Sequence, residues 1–287
     1  MNGSISNKLA GVVILYNPES QKTLQNILSY AAGLNKLYIL DNSENQLENW
    51  AELAKQVGDH VEYVKYGENE GIAKRLNIAA NKAIADGYSY LLTMDQDSSF
   101  APGVFDNYLK EIAACSISQV GQYGVNFQIQ FTPVQTQPQL VLSLITSGSI
   151  ISLACYQNIG PYSEDLFIDF VDAEFSYRVN ANGFKVVQFT NIILTHQIGD
   201  RVLGRSFKTF KVTPRIIHSP IRLYYIVRNG LYLIFKASNL TSEARRDIFK
   251  NLRVLKNNYI YHPQLFKVYK YTFIGIFDFI RNKMGRK

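Results

Sequence analysis

Two acidic residues one position apart, Asp95 and Asp97, directly follow the apolar stretch 88–94. Both carboxylates could reach one divalent cation, because Mg²⁺ and Mn²⁺ take oxygen ligands and commonly keep substrate phosphates in their coordination shell. Two solvated loop acids would have the same spacing, so the pattern alone supports either interpretation about equally. The position at the end of a strand-like run favours a metal site that would hold a phosphorylated substrate.

A histidine, His196, also follows a predicted strand, over residues 185–194. A single histidine in this position is more often structural than metal-binding. In a chain that already offers two carboxylates, an imidazole would complete a three-ligand site and would favour Mn²⁺ somewhat over Mg²⁺.

The segment 167–175 (FIDFVDAEF) mixes apolar residues with acids, and its Asp172 stands near a predicted helix start. A carboxylate there could project into a cleft and act as a general base, provided that it lies within hydrogen-bonding distance of a substrate hydroxyl. The simpler interpretation is an acid that stabilises a helix N-terminus. Glu174 and Arg178 have the spacing of an intrahelical ion pair, and we interpret them as structural.

A short polar loop, 67–71, precedes the predicted helix 72–86. Asn69 could cap this helix, and Gly71 would let the backbone approach a ligand near the positive end of the helix. An ordinary helix start explains the same residues, and from this stretch alone that interpretation is slightly favoured.

Strand-like and helix-like segments alternate through the first hundred residues. Short apolar runs predict strands at 9–16, 36–40, 61–66 and 88–94, and apolar residues at helical spacing predict helices at 20–32, 47–57 and 72–86. This order is typical of an α/β protein with a mostly parallel sheet and crossover helices, which binds ligands beyond the carboxyl ends of its strands. Three polar clusters stand at those ends: Tyr16-Asn17, Asp41-Asn42 and Asp95-Gln96-Asp97.

The second half of the chain has a different pattern. Residues 124–131 and 141–153 are strand-prone, residues 164–181 predict a loop that leads into a helix, and residues 200–214 are expected to be mobile. Three helices are predicted after them, at 220–237, 242–257 and 263–282. We therefore expect a catalytic domain over residues 1–200 and a helical extension over residues 201–287.

Charge separates the same two regions. Residues 1–200 hold 11 Lys and Arg against 20 Asp and Glu, whereas residues 201–287 hold 19 against 3. A basic, aromatic-rich extension on an acidic core is expected to contact an anionic surface, either a membrane or a nucleic acid. Its segment 259–287 has the composition of an amphipathic helix at a lipid interface, although packing of an apolar face on the core would give a similar pattern.

Composition also argues against several classes of protein. No apolar run approaches the roughly 20 residues that a membrane-spanning helix needs. The two cysteines, Cys115 and Cys155, have neither metal-binding nor disulfide spacing, which is typical of a protein in a reducing cytoplasm. A nucleotidyltransferase could share the acidic pair, but the N-terminal region has no glycine-rich, lysine-bearing triphosphate loop.

Seven short motifs occur in an order that resembles glycosyltransferase family 2. In chain order they are VVILYNP, LDNSE, NEGIAKRLNIA, LLTMDQDS, ITSGSIIS, FIDFVDAEFSYR and LTHQIGD. Each is weak alone, but together they run from about residue 11 to residue 196. The resemblance is to bacterial rhamnosyltransferases and galactofuranosyltransferases of surface-polysaccharide synthesis. It implies a GT-A fold, which is a Rossmann-like, nucleotide-binding and mostly parallel sheet with flanking helices.

The resemblance implies a role for each matching position. The base and ribose of a nucleotide would contact Tyr16, Asn17 and Asp41. The donor pocket would also include Asn69, Gly71, Ile72 and Asn77, with Asp95 and Gln96 near the ribose and diphosphate. Asp97 and His196, together with Asp95, would hold Mn²⁺ or Mg²⁺. The acceptor sugar would lie beside Ser147, Gly148 and Ser149, and Asp172 would be the base, with Asp169 and Glu174 as rival acids.

The implied enzyme is a metal-dependent inverting glycosyltransferase. Its donor would be a nucleotide sugar, with dTDP-rhamnose favoured over a UDP-sugar, and its acceptor a hydroxyl of a lipid-linked or surface glycan. We expect it in the cytoplasm, at the inner face of the cell membrane, where the basic extension would contact lipid. Galactofuranosyl or other hexosyl transfer is the alternative within the fold.

A nucleic-acid-binding protein is the alternative from another class. It would use the basic extension, but it would also be expected to have a basic folded core, and residues 1–200 are net acidic. It would leave Asp95, Asp97 and Asp172 without a purpose. The sequence therefore favours the transferase and predicts no nucleic-acid partner.

Overall fold

A mixed central sheet with helices on both faces forms the first two thirds of the protein in the computed structural model, which describes residues 5, 8–45, 49–127, 134–196, 200–205, 210–237 and 240–287. The strands of this sheet are β1 (Leu9–Leu15), β2 (Lys36–Asp41), β3 (Val61–Lys65), β4 (Tyr90–Asp95), β5 (Ser99–Phe100), β6 (Val120–Asn126), β7 (Gln139–Leu140), β8 (Ser149–Ser152) and β9 (Lys185–Thr195). The helices of this region are α1 (Ser20–Ala31), α2 (Trp50–Lys55), α3 (Ile72–Ala85), α4 (Val104–Ala114), α5 (Leu153–Ile159) and α6 (Val171–Ala181).

The order of the strands is β3-β2-β1-β4-β8-β6-β9-β5, with β7 paired to β9. The first four strands are parallel neighbours, as the alternation of strands and helices predicts. The direction reverses at β8, which is antiparallel to both β4 and β6, whereas β6 and β9 are again parallel. The carboxyl ends of β1, β2 and β4 therefore lie together beside this reversal, where doubly wound sheets bind their ligands.

Both faces of β1 are buried, which explains why its sequence is a continuous apolar run rather than an alternating one. Leu9, Val13 and Leu15 belong to the core cluster that includes residues of α1 and α4. Ala10 and Val12 belong to the cluster on the opposite face, with residues of α3 and α6. Successive side chains of a strand point to opposite faces, so one strand contributes to both cores.

Two sequence expectations differ from the structure, and part of a third lies outside the described residues. Residues 200–214 are expected to be mobile, but most of their described residues belong to an antiparallel hairpin of β10 (Asp200–Arg205) and β11 (Val212–Ile217), which cross-strand pairing orders. The strand-prone run 141–153 contains only β8, because Ser152 caps α5 by accepting a hydrogen bond from the Cys155 amide. Of the predicted strand 124–131, residues 128–131 lie outside the described residues.

Four further helices follow the hairpin: α7 (Pro220–Phe235), α8 (Ser242–Asn251), α9 (Val254–Tyr261) and α10 (Leu265–Ile280). The predicted helix 242–257 is therefore interrupted, and its two parts pack in different directions around α7. None of the described helices is both long enough and apolar enough to cross a membrane.

Polar side chains of α7 hold the loop that leads into α6. Arg228 is fully buried, and its guanidinium donates to the carbonyl oxygens of Gly285 (2.7 Å) and Asp165 (3.3 Å). The Asn229 amide donates to the carbonyls of Leu166, Ile168 and Asp169 at 2.8, 2.8 and 3.0 Å. Buried carbonyl groups need such donors, so α7 and the C-terminal residues fix the backbone conformation just before Asp172.

Candidate active site

A cleft of about 420 Å³ opens at the carboxyl ends of β1 and β4. Its floor comes from those strands, one wall from the loop before α3, and the other wall from residues 167–172 and the start of α7. The residues that line it are Ile14, Tyr16, Asn42, Asn69, Gly71, Ile72, Asp95, Gln96, Asp97, Thr146, Phe167, Ile168, Asp169, Phe170, Val171, Asp172, His196, His218 and Arg222.

Asp95, Asp97 and His196 meet at the base of this cleft, and one ligand atom of each lies within 4.8 Å of the others. Strand pairing brings them together: Ser99 of β5 pairs with Thr195 of β9, so the loop after β4 runs beside His196. The Nδ1 atom of His196 lies 3.4 Å from Oδ1 of Asp97 and 2.7 Å from Oγ of Ser98. Two carboxylates and one imidazole form a donor set that suits Mn²⁺, so these residues fit a divalent cation.

Electrostatics at this cluster also fit a cation. Burial raises the pKa of Asp95 to about 6, and the neighbouring Asp97 carboxylate adds to the rise while His196 opposes it. Burial also acts to raise the pKa of Asp97, but its hydrogen bond and charge interaction with His196 outweigh burial and lower it overall. The pKa of His196 is raised because the two carboxylates outweigh its own burial. The cluster therefore holds excess negative charge that a divalent cation would neutralise.

Asp172 lies at the second residue of α6 and faces the same cleft. Its Oδ1 accepts a hydrogen bond from the Ala173 amide (2.8 Å) and its Oδ2 accepts one from the Thr146 amide (3.2 Å). Burial raises the pKa of the Asp172 carboxyl, and these two hydrogen bonds and the charge of Arg222 only partly offset it. The result is a fixed carboxylate that is more basic than an exposed aspartate.

The two rival acids make ion pairs. Glu174 binds Arg178 at 2.6 Å, as the sequence predicts, and that arginine also donates to the carbonyls of Ile159 and Pro161, outside the cleft lining. Asp169 lines the cleft, but its Oδ1 accepts a hydrogen bond from Nε of Arg222 at 3.0 Å. Asp172 is therefore the acid of this segment that reaches the cleft without a cationic partner, among the residues that the structure describes.

The turn before Asp172 has an unusual backbone. Phe167, Asp169 and Phe170 have φ angles of +62°, +60° and +66°, a region that non-glycine residues rarely occupy. Such strain persists only where surrounding contacts enforce it, and Asn229 and Arg222 provide those contacts here. No local sequence pattern indicates the role of Arg222, which lies about 50 residues downstream of Asp172 and reaches Asp169 only in the folded structure.

On the opposite wall, Tyr16 and Gln96 are joined by two hydrogen bonds. The Tyr16 amide donates to Oε1 of Gln96 (2.8 Å), and Nε2 of Gln96 donates to the Tyr16 carbonyl (3.1 Å). The Gln96 side chain thus positions Tyr16, whose side chain is 44% exposed at the cleft mouth. Nearby, Oδ1 of Asn69 accepts from the Gly71 amide (3.0 Å) and from Nδ2 of Asn42 (2.9 Å), so the loop before α3 is held in place.

Six residues expected at ligand-binding positions are not among those that line the cleft: Asn17, Asp41, Asn77, Ser147, Gly148 and Ser149. Most of them bind groups outside the cleft lining, whereas Ser147 supports a residue that lines it. Asp41 accepts from the Ser43 amide (2.8 Å) and from the Tyr63 hydroxyl (2.8 Å), and Oγ of Ser147 accepts from the Asp95 amide (3.1 Å). A residue at a strand end is expected near the site. Its position in the sequence does not determine whether its side chain faces the cleft or the residues packed behind the cleft wall.

The other four have similar partners. The Asn17 amide donates to Oγ of Ser43 at 2.7 Å, and the Gly148 amide donates to the Thr93 carbonyl at 3.0 Å. Asn77 binds the backbone of Tyr162 through both ends of its amide, and Oγ of Ser149 accepts from Gln122. Conversely, the cleft contains residues to which sequence reasoning assigned no role, namely Ile14, Asn42, Thr146, Phe167, Ile168, Phe170, Val171, His218 and Arg222.

Gly71 lies at a close contact between the two walls of the cleft, where a larger side chain does not fit. Its φ is +87°, and a Cβ atom there would lie 2.6 Å from the Phe167 carbonyl oxygen. We expect Gly71→Ala to lower the melting temperature and weaken donor binding, because the loop must move away from Phe167. Gly87→Ala is the matched control, since Gly87 has a φ of +83° but open space around it. Each variant should lose roughly 1 kcal/mol from strain, and only Gly71→Ala should also lose donor affinity; equal donor affinity in the two variants would contradict the role of this contact.

A sheet of this topology with an acidic cluster at the strand ends is typical of nucleotide-sugar transferases of the GT-A type. Residues 12–170 match the description "Glycosyl transferase family 2", and the chain belongs to that family. It is a glycosyltransferase. It is 29% identical over 256 residues, 81% of each chain, to the "dTDP-rhamnosyl transferase RfbF" of Shigella flexneri.

Solved structures agree with the fold. The chain is similar to residues 1–349 of TarS from S. aureus in complex with UDP-GlcNAc, with a TM-score of 0.58 and 15% identity over 96% of this chain and 81% of that one. It is also similar to GalNAc-T7 with UDP, GalNAc and Mn²⁺, with a TM-score of 0.57 and 14% identity over 89% of this chain and 58% of that one.

Proposed function

We propose that this glycosyltransferase moves rhamnose from a nucleoside-diphosphate donor, with dTDP-rhamnose favoured, to a hydroxyl of a lipid-linked or surface glycan, with inversion of the anomeric carbon. The observation that carries the proposal is that Asp172 and the Asp95, Asp97 and His196 cluster face one cleft. The relative named as a dTDP-rhamnosyl transferase supports the donor. Galactofuranosyl transfer is the weaker candidate, and a nucleic-acid-binding role is not favoured in a member of this family.

Asp95, Asp97 and His196 would hold Mn²⁺ or Mg²⁺. When bound, the cation would neutralise the negative charge that develops on the leaving diphosphate. The protein places the ligands of the cation. Asp95 is the last residue of β4, and its amide donates to the Ser147 hydroxyl. The pairing of β5 with β9 holds Asp97 beside His196. The donor would lie between this cluster and the wall formed by Tyr16, Asn69, Gly71 and Ile72.

Asp172 would act as the general base. A hydroxyl oxygen of the acceptor attacks the anomeric carbon, the bond from that carbon to the diphosphate oxygen breaks, and the hydroxyl proton passes to the Asp172 carboxylate. Attack from the face opposite the leaving group inverts the anomeric centre without a covalent enzyme intermediate. The amides of Ala173 and Thr146 keep the carboxylate in one orientation, so that little reorganisation is needed when the acceptor arrives.

A panel of sugar nucleotides tests this proposal. The purified protein, with Mn²⁺ or Mg²⁺, is incubated with each donor, and the release of nucleoside diphosphate is measured. We expect metal-dependent release from dTDP-rhamnose above all other donors. Release from a UDP-hexofuranose alone would favour the galactofuranosyl alternative, and no release from any donor would contradict the proposal.

The last long helix supports a membrane-bound acceptor. One face of α10 packs on α7, where Gly275 allows close approach because a Cβ atom there would lie 2.8 Å from the Tyr224 carbonyl oxygen. The other face is exposed at Phe266 (84%), Phe273 (68%) and Ile280 (65%). Tyr269 and Phe277 lie on the same face at helical spacing, and Lys and Arg residues flank it. An exposed aromatic stripe in a basic region suits the headgroup layer of an anionic membrane.

Vesicle flotation checks the role of this stripe. We expect the protein to float with vesicles that contain anionic phospholipid, and the double variant Phe273→Ser, Phe277→Ser to partition at least tenfold less, because each buried phenyl ring contributes about 1.5–3 kcal/mol. Phe249→Ser on α8, where the ring is 54% exposed, is the control and should float like the parent. Equal flotation of the double variant and the parent would remove α10 as the membrane contact.

A further inference from the structure

A second cleft, of about 460 Å³, adjoins the donor cleft at Asp172. The two clefts share one wall, made of Asp169, Phe170, Asp172, His218 and Arg222. The Asp172 carboxylate therefore borders both clefts. A general base needs this position if it is to take a proton from an acceptor in one cleft while that acceptor attacks a donor in the other.

The C-terminal helices build the outer wall of this second cleft. Ile226 belongs to α7, Asp247 and Asn251 belong to α8, and Val254 follows at the start of α9. Leu252 and Arg253 separate α8 from α9, so two short helices rather than one contribute to this wall. Asp247 is fixed in the wall by the Tyr177 hydroxyl, which donates to its Oδ2 at 2.8 Å.

The inner wall comes from the catalytic sheet and the segment before β8. It presents the Phe127 ring, the Ser143 hydroxyl and the Gln188 amide, and Nε2 of Gln188 is oriented by the Val125 carbonyl at 3.0 Å. Aromatic and aliphatic surface combined with amides, a hydroxyl and carboxylates is a surface that can bind the apolar faces and the hydroxyl groups of a sugar ring.

Charge excludes the anionic ligands that the basic extension would otherwise suggest. Three carboxylates, Asp169, Asp172 and Asp247, line the second cleft. Arg222 is the one Lys or Arg among the described residues that line it, and it already pairs with Oδ1 of Asp169. A phosphate would meet net repulsion here, whereas a neutral polyhydroxyl group can donate hydrogen bonds to the carboxylates.

Asp169 adds a separate indication of a hydroxyl-bearing ligand. Its side chain is 10% exposed, and its Oδ2 has no hydrogen-bond partner within the described part of the chain. A buried carboxylate oxygen without a partner is uncommon because its desolvation is not compensated. It lies in the wall that both clefts share, where a small adjustment of the Arg222 pair would present it to a sugar hydroxyl.

We propose that the second cleft binds the neutral acceptor sugar, so that α7, α8 and α9 form one wall of the acceptor site. The inference rests on the proposed function and moves the acceptor from Ser147–Ser149, which line neither cleft, to a cleft that the C-terminal helices complete. The acceptor hydroxyl and the diphosphate can then lie on opposite faces of the anomeric carbon, with Asp172 beside the hydroxyl, as direct displacement requires.

Two tryptophan variants on neighbouring positions of α8 test the inference. Asn251→Trp would fill the cleft, whereas Lys250→Trp adds the same ring beside it, on an exposed residue that does not line it. Octyl glycosides of neutral hexoses serve as acceptors, each also presented as its 6-phosphate ester. For each protein, kcat/KM for the acceptor, KM for the donor and nucleoside-diphosphate release without acceptor are measured.

We expect Asn251→Trp to lower kcat/KM for the neutral acceptor by at least about tenfold, with donor KM and acceptor-independent release within about twofold of the parent. Lys250→Trp should match the parent in all three, and the parent should prefer the neutral glycoside to its phosphate ester. The inference would be overturned if Asn251→Trp had the acceptor kinetics of the parent. It would also be overturned if the parent preferred the phosphate ester and Asn251→Trp lost that preference. Donor turnover by the parent without acceptor tests the proposed function separately, since it does not depend on the second cleft.

Discussion

Asp172→Asn is expected to slow sugar transfer by about 10²-fold or more while donor binding stays nearly unchanged. The asparagine amide can keep the hydrogen bond from the Thr146 or Ala173 amide through its oxygen, so the local structure should survive, but it cannot take a proton. The measurements are kcat for transfer and donor affinity by calorimetry. Asp169→Asn is the comparison: it breaks the pair with Arg222 and should reduce transfer less.

The pH profile gives the same prediction a second readout. Because burial raises the pKa of Asp172, the acid limb of kcat should lie at higher pH than an exposed aspartate would give. The base must be deprotonated, so activity should fall as the pH drops through that pKa, at saturating metal. The residual activity of Asp172→Asn should lack this limb. Parental transfer by Asp172→Asn, together with a deep loss in Asp169→Asn, would assign the base to Asp169.

Asp97→Ala is expected to abolish most of the stabilisation that Mn²⁺ gives to the protein, and most of the donor cleavage with it. At about 100 times its Kd, a ligand that binds only the folded state adds about 2.7 kcal/mol, which in a chain of this size raises Tm by roughly 4–5 °C. The variant keeps only Asp95 and His196 as ligands, so its affinity for Mn²⁺ should fall steeply. Thermal unfolding with and without Mn²⁺ measures the effect, with Asp106→Ala on α4 as a control acid outside the cleft.

The pH dependence of this stabilisation follows from Asp95. Its folded pKa of about 6 lies above the value for an unfolded aspartate, so without metal the folded state binds the proton more tightly than the unfolded state does. The metal-free protein should therefore lose stability as pH rises from about 4 to about 6, and stay at the lower level above that range. Mn²⁺ should restore most stability above pH 6, where it no longer competes with that proton. An equal Mn²⁺-induced rise in Tm for the parent and Asp97→Ala would exclude this cluster as the binding site.

The parallel half of the sheet was predictable because β1, β2 and β4, three of its four strands, are buried on both faces. The apolar runs that became β1 and β4, and the helical spacing that became α1 and α3, are local patterns that solvent exclusion enforces. The hairpin of β10 and β11 was not predictable in the same way, because Asp200–Arg205 and Val212–Ile217 are ordered by pairing with each other rather than by apolar burial. The break between α8 and α9 likewise depends on how both helices pack around Leu252 and α7.

The sequence by itself determined which residues stand at the strand ends: Asp95 and Asp97 after β4, and His196 after β9. Their meeting point follows from sheet topology, which the order of strands and helices already indicates. Only the tertiary structure decided which side chains face the cleft, because the direction of a side chain beyond a strand end depends on the hydrogen bonds of the layer behind it. Asp41 and Asn77 are turned into that layer by Tyr63 and Tyr162. Arg222 reaches Asp169 from α7, and the wall with Asp247 and Asn251 closes beside Asp172, through contacts between segments more than 50 residues apart that no local pattern encodes.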